Sequence, residues 1–289
     1  MSFVVVLVVL VLVFTQGSHA TVVRHSSRRV SRRSEERKSP HPTGSVKTAS
    51  TKTLFSMPAM AAYLDGAPGD VTAAVYDRRN GVTALYRPGV TEDEASIMKV
   101  DILATLLAQA QARNQPLTDE DQLLAQQMIE ESNNDDAQDL WDDEGGASAV
   151  AAFNQQAGLT QTVPDAAGYW GLSTTTAADQ VQLLKAVAFP NGLLSPASRQ
   201  YQLGLMTGVD PTQAWGVSAG VPPGVTVALK NGWLPLDQGG WQVNSIGYVD
   251  GDGRDYLIAV LTSGDATEDR GIDTIERISG LVWRELAPT

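Results

Sequence analysis

The chain has 289 residues, 43% hydrophobic and 19% charged, with a formal net charge of −12, a profile that fits a soluble globular protein of one sizeable domain or two small ones. It has no cysteine, which excludes a disulfide framework and a thiol nucleophile, and its three histidines, His19, His25 and His41, all precede residue 54. From there on a Ser-His-Asp triad, a Cys-His dyad and a histidine-based zinc site are excluded, so nucleophilic catalysis would need a lysine or a carboxylate as base.

Phe3 to Phe14 form an unbroken apolar run followed by Ser18-His19-Ala20. The run is too short to span a bilayer as a helix but suits a signal-peptide core with small residues at the cleavage positions, although no positive segment precedes it. Residues 1–20 are therefore expected to be a signal peptide or membrane anchor, and the protein to be secreted or held at the cell envelope. Residues 21–53 carry nine Lys or Arg against two Glu, with almost no apolar residue after Val30. They read as a disordered basic linker, or functionally as a tether to anionic lipid or cell-wall polymer. Residues 54–289 reverse the balance, with twelve basic against thirty-one acidic side chains. Nucleic acid is excluded as their partner, because phosphate binding needs a basic footprint.

The globular pattern starts with a short helix from Met57 to Leu64. Two strands follow in VTAAVYDRRNGVTALYR, joined around Asn80-Gly81, a strong hairpin signal. ASIMKVDILATLL, from Ala95, has helical spacing that turns Ile97, Val100, Leu103, Leu106 and Leu107 to one side. Helical segments continue to about residue 205, and three strands come next: VTVALKNGWLPL, GGWQVNSIGYVD and RDYLIAVLTSG. A final helix closes the chain. The expected fold class is α+β: an antiparallel sheet flanked by helices, completed by the early hairpin and the late strands, with an all-helical subdomain inserted.

Three short clusters carry candidate chemistry. Ser96 and Lys99 stand at i and i+3, neighbours on one helix face near a positive helix end. A buried lysine beside a second cation becomes a usable base, although such a spacing also arises by chance. Ser132-Asn133-Asn134 falls between two helical segments, where a hydroxyl and an amide either reach a cleft or cap a helix. Lys230-Asn231-Gly232 lies in a strand pattern. The lysine there needs a counter-charge or an edge position, and a strand glycine often marks close approach of a ligand backbone. Asp250 to Arg254 reads as a hairpin turn rather than a calcium loop. Asp135, Asp136, Asp139, Asp142, Asp143 and Glu144 read as a solvated helix face, and Lys185 as an ordinary residue of an amphipathic helix.

Taken together, S-x-x-K, S-x-N thirty-six residues later and K-x-G on a late strand resemble the motif set of serine β-lactamases and penicillin-binding proteins. The chain from 54 to 289 resembles the class A β-lactamase family, with further similarity in MIEESNN, LSTTTAADQVQLL and VNSIGYV. The resemblance implies Ser96 as acylated nucleophile, Lys99 as base or proton relay, and Ser132 as proton shuttle to the leaving group. It implies Asn134, Lys230, Asn231 and Gly232 in substrate binding, and the backbone N–H groups of Ser96 and Trp233 as the oxyanion hole. It implies a monomer without cofactor or metal, acting on a small-molecule β-lactam or a peptidoglycan-type peptide.

Two positions depart from the family. The family's loop before the threonine-rich helix carries a glutamate that positions the deacylating water. Here that stretch, LTQTVPDAAGYWGLSTTT, offers only Asp165, so slow deacylation is expected. Asn231 replaces the usual Thr or Ser. The alternatives are a D,D-peptidase-like or esterase enzyme of the cell envelope, and a catalytically weak protein that binds a cell-wall peptide.

Overall fold

The structure is a computed structural model and describes residues 54–237 and 239–288; the expected leader and linker, 1–20 and 21–53, lie outside the described residues. Strands β1 (Asp70–Asp77) and β2 (Val82–Tyr86) form the early hairpin. Its turn works because Asn80 Oδ1 accepts from the Val82 N–H at 2.8 Å and Gly81 takes a φ of 72°, a region open to glycine at no steric cost. A two-residue ladder links β3 (Glu92–Asp93) with β4 (Thr174–Thr175). The late strands are β5 (Thr226–Pro235), β6 (Trp241–Gly251) and β7 (Arg254–Asp265). β1 pairs antiparallel with β7, giving one five-stranded antiparallel sheet in the order β2-β1-β7-β6-β5. The segment at 250–254 is the expected hairpin turn, with Asp252 and Gly253 at positive φ and Arg254 bonded to the Asp252 carboxylate at 2.8 Å.

Alternation along the strands sorts two cores. Val71, Ala73 and Val75 of β1, with Ile258 and Val260 of β7, pack beneath α1 (Pro58–Asp65) and α8 (Glu268–Glu285). Ala74, Leu257, Ala259 and Leu261 face the helical block instead. That block comprises α2 (Met98–Ala112), α3 (Asp119–Gln126), α4 (Asn134–Glu144), α5 (Gly146–Ala157), α6 (Ala177–Ala188) and α7 (Pro196–Thr207). A π-helical turn, Gln127–Glu131, prolongs α3.

α2 is not the one-sided helix that its spacing predicts. Residues 98–107 are buried without a break, Lys99 and Asp101 included, because the sheet and α4, α5 and α7 enclose it. A helix wrapped on all sides is anchored by every apolar residue it carries. Burial of Ile102 or Leu103 contributes about 1.5–3 kcal/mol each. The acidic face expected on α4 is also only partly solvated. Asp136 and Glu144 are 9% and 5% exposed, since helical periodicity sets 136, 140 and 144 on the inner stripe with Leu140.

Candidate active site

Ser96 sits in a 3-10 turn, Ala95–Ile97, that leads into α2. Its neighbour Ala95 has a φ of 50°, a left-handed conformation that costs a non-glycine residue about 1 kcal/mol. The surroundings hold it there. Asn244 Nδ2, from β6, donates to the carbonyls of Asp93 and Glu94 at 2.8 and 3.0 Å. The Glu94 N–H donates to the Ser173 carbonyl at 2.8 Å, and Gln180 Nε2 of α6 reaches Glu94 Oε2 at 3.1 Å. Glu94 itself is fully buried, and burial together with nearby Asp101 holds its carboxyl well above the usual range.

β5 closes the turn from the sheet side. Strand alternation turns Lys230 and Gly232 toward α2. A Cβ on Gly232 would come within 2.6 Å of the Ser96 nitrogen, 2.8 Å of the Ile97 nitrogen and 3.0 Å of the Glu94 carbonyl oxygen. The glycine thus marks close approach by the chain's own Ser96 turn, not by a ligand.

The π-helical turn after α3 delivers Ser132 in a left-handed conformation, φ 59°. Asn133 is the helix cap: its Oδ1 accepts from the Asp135 and Asp136 N–H groups at 2.9 and 3.4 Å. That leaves Ser132 and Asn134 to meet the lysines. Lys99 Nζ donates to the Ser132 carbonyl at 2.6 Å, to Ser132 Oγ at 3.0 Å and to Asn134 Oδ1 at 2.7 Å. Lys230 Nζ reaches the same Ser132 Oγ at 3.0 Å, and the Asn231 carbonyl at 3.0 Å. Both ammonium groups are buried, at 0% and 1% exposure. Burial, and secondarily the positive Lys230, push the Lys99 amine down to about 6, against a smaller opposing pull from Asp136. Burial pushes Lys230 down to about 7. Neutral Lys99 has a lone pair able to accept from the Ser132 hydroxyl, and the three side chains form a hydrogen-bonded Lys99–Ser132–Lys230 path. The bonds of Lys99 run to Ser132 and Asn134 rather than to Ser96, whose hydroxyl has no hydrogen bond among the described residues. In this arrangement the Lys99 amine is thus not bonded to Ser96.

Beside this path a cleft of about 330 Å³ is lined by Ser96, Asn134, Trp170 and Trp233, among others. Lys99 Nζ lies 5.0 Å from the centroid of the Trp170 ring. Trp233 packs its ring on Trp215 at 5.8 Å. Asn231 is turned away, its position on β5 pointing the amide to the other face of the sheet. Its Nδ2 donates to the Gln213 and Trp215 carbonyls at 2.7 and 3.1 Å. The side chain expected to bind substrate is thus a tie between β5 and the segment before it. Asp165 is outside the cleft lining as well; its Oδ1 accepts from the N–H groups of Ala167 and Tyr169, each at 3.0 Å.

Sequence reasoning missed Glu94, Trp170, Gln180 and Asn244. Asn244 left a trace, a buried amide in an otherwise apolar strand pattern. Trp170 stood in a stretch searched only for a carboxylate.

Comparison with known proteins bears on the family and the fold. The profile of the Beta-lactamase enzyme family matches residues 119–286. The protein named "Putative lipoprotein LppW" in Mycobacterium tuberculosis, and its namesake in Mycobacterium bovis, are 26% identical over 197 residues. The match takes in 66% of this chain and 62% of those relatives, so the chain spans less than two thirds of their length. Among solved structures, the TLA-1 extended spectrum β-lactamase superposes with a TM-score of 0.71 at 21% identity, covering 79% of this chain and 96% of that one. A class A β-lactamase from Bacteroides cellulosilyticus gives 0.69 at 20% identity over 78% and 94%. PBP-A gives 0.68 at 21% identity over 78% and 92%. These structural likenesses bear on the fold: an antiparallel sheet with helices, of the β-lactamase/transpeptidase type. With a profile match over more than half its length, the chain belongs to the beta-lactamase enzyme family.

Proposed function

We propose that this chain is an exported serine hydrolase of the cell envelope, acylated at Ser96 by a β-lactam or a related amide or ester, and slow to release the acyl group. The observation that carries the reading is the buried Lys99–Ser132–Lys230 path beside the cleft that contains Ser96. Lys99, as a neutral amine, takes the Ser96 proton while Oγ bonds to the carbonyl carbon. The proton passes through Ser132 to the leaving nitrogen or oxygen as that bond breaks. The N–H groups of Ser96 and Trp233 serve the developing oxyanion; β5 as an edge strand packed on the Ser96 turn supports that role.

Two features support slow deacylation. No carboxylate lines the cleft among the described residues, and the nearest sequence candidate, Asp165, is committed to its own loop. The Trp170 indole lies over Lys99 and shields its amine from water. Export is supported by the apolar run at 3–14 and by the lipoprotein name that the LppW relatives carry.

The test is incubation of the purified protein with penicillin G, following intact mass and product release together. A persistent adduct that Ser96→Ala abolishes is the expected result. Fast turnover would overturn slow deacylation. Absence of an adduct with every acyl donor would overturn the nucleophile and favour a protein that only binds cell-wall peptide.

A further inference from the structure

The walls of the cleft define what it accepts. Tyr169, Trp170, Leu172 and Leu234 line it as apolar and aromatic residues, and Asn134 and Gln138 as neutral polar ones. No Lys, Arg, Asp or Glu is in that lining among the described residues. The nearest cations are the two lysines of the hydrogen-bonded path, both buried. Lys99 donates to Ser132 and Asn134, and Lys230 to Ser132 Oγ and the Asn231 carbonyl. The Asn231 amide, on the position where a carboxylate ligand was expected, points to the opposite face of the sheet and is spent on two carbonyls. Several arginines are tied up elsewhere: Arg78 pairs with Asp255, Arg79 with Asp77, Arg87 with Asp70 and Arg254 with Asp252.

The wider field acts in the same direction. α4, which contributes Asn134 and Gln138 to the wall, also carries Asp135, Asp139, Asp142 and Asp143 on its exposed side. Residues 54–289 hold thirty-one acidic side chains against twelve basic. A substrate anion is repelled on approach and finds neutral donors but no cation in the lining once it arrives.

We infer that the cleft takes uncharged acyl donors bearing an apolar or aromatic group, esters above all, and disfavours donors with a carboxylate beside the scissile bond. This rests on the proposed acylation at Ser96 and names its substrate class. Ser96 Oγ loses its proton to Lys99 and bonds to the acyl carbon. The ester C–O bond breaks, and the departing alkoxide takes the proton through Ser132 and leaves as an alcohol. Water then cleaves the acyl-enzyme, releasing a carboxylic acid and restoring the serine. An ester suits this site because an alkoxide leaves more readily than an amide nitrogen, and no carboxylate anchor is present to hold a peptide against its slower step.

A matched pair tests the inference without altering the protein: penicillin G and its methyl ester, which differ only in the carboxylate. Acylation rate constants are read by intact mass on the full chain, beside the neutral ester phenyl phenylacetate and with Ser96→Ala as control. The expected result is that the methyl ester acylates about tenfold faster at low salt, with the gap narrowing as salt screens the repulsion. Acylation by phenyl phenylacetate alone, lost in Ser96→Ala, equally supports it. If the free acid is the faster of the pair, the inference is overturned while acylation at Ser96 stands. If no donor modifies Ser96, the proposed function fails and the substrate class falls with it.

Discussion

Gly232→Ala tests how the nucleophile turn is held. The added methyl would stand 2.6 and 2.8 Å from the nitrogens of Ser96 and Ile97, where ordinary contact begins near 3.4 Å. All three close neighbours are backbone atoms, so none rotates aside. Either β5 or the Ser96 turn has to move by several tenths of an ångström. Overpacking of this kind costs about 1–3 kcal/mol, which in a domain of this size lowers the melting temperature by about 2–12 °C. Movement of the turn also takes the Ser96 N–H out of line with the oxyanion, and loss of one such donor slows acylation by about 10²–10³-fold. Thermal unfolding and a stopped-flow acylation assay on the same preparation measure both effects. A variant that melts within about 1 °C of the parent and acylates within about threefold would refute the reasoning. A lowered melting temperature with intact acylation would mean that β5 yields and the Ser96 turn does not.

Acylation should rise with pH through about 6, because Lys99 works as a base only when neutral and burial beside Lys230 holds it there. Lys230→Gln removes the neighbouring positive charge, so the rising limb of the pH–rate profile should move to higher pH. A limb that stays in place would remove Lys99 from that role. Trp170→Ala admits water to Lys99, and is expected to move the same limb upward and to shorten the acyl-enzyme lifetime by about tenfold, as followed by decay of the adduct mass. Asp101, fully buried on α2 with neither oxygen hydrogen-bonded, is pushed up to about 7 by burial, against a slight opposing influence of Asn154. Its folded value is above the unfolded one, so its contribution is whole below the ordinary carboxylate range and is lost as pH rises through 7. Urea unfolding of Asp101→Asn at pH 5 and 9 should show a gain over the parent that grows with pH, to at most about 4 kcal/mol.

How much of this was legible in the sequence depended on the kind of signal. Asn80-Gly81 announced its hairpin, and the spacing of Ser96, Lys99, Ser132 and Lys230 announced residues that the fold brings together. The tie that Asn231 makes to the Gln213 and Trp215 carbonyls was not legible, because a motif read along the chain ignores the face to which a strand turns alternate residues. Asp136 and Glu144 were read as solvated because a run of acids masks the inner stripe of a helix. β3 and β4, two residues each, are too short to carry any periodicity. The contacts of Glu94 with Gln180 and Asn244 join residues more than eighty positions apart, and no local pattern records them.

The small ladder of β3 and β4 has a mechanical consequence. It fastens the strand that precedes Ser96 to the strand that follows Trp170, and the Glu94–Ser173 bond adds a third rung. The Ser96 side and the Trp170 side of the cleft are thereby tied at a common base by backbone hydrogen bonds. Under the proposed acylation, selection among donors would then rest on fit to a gap set before binding, with little ordering left to be done at that moment.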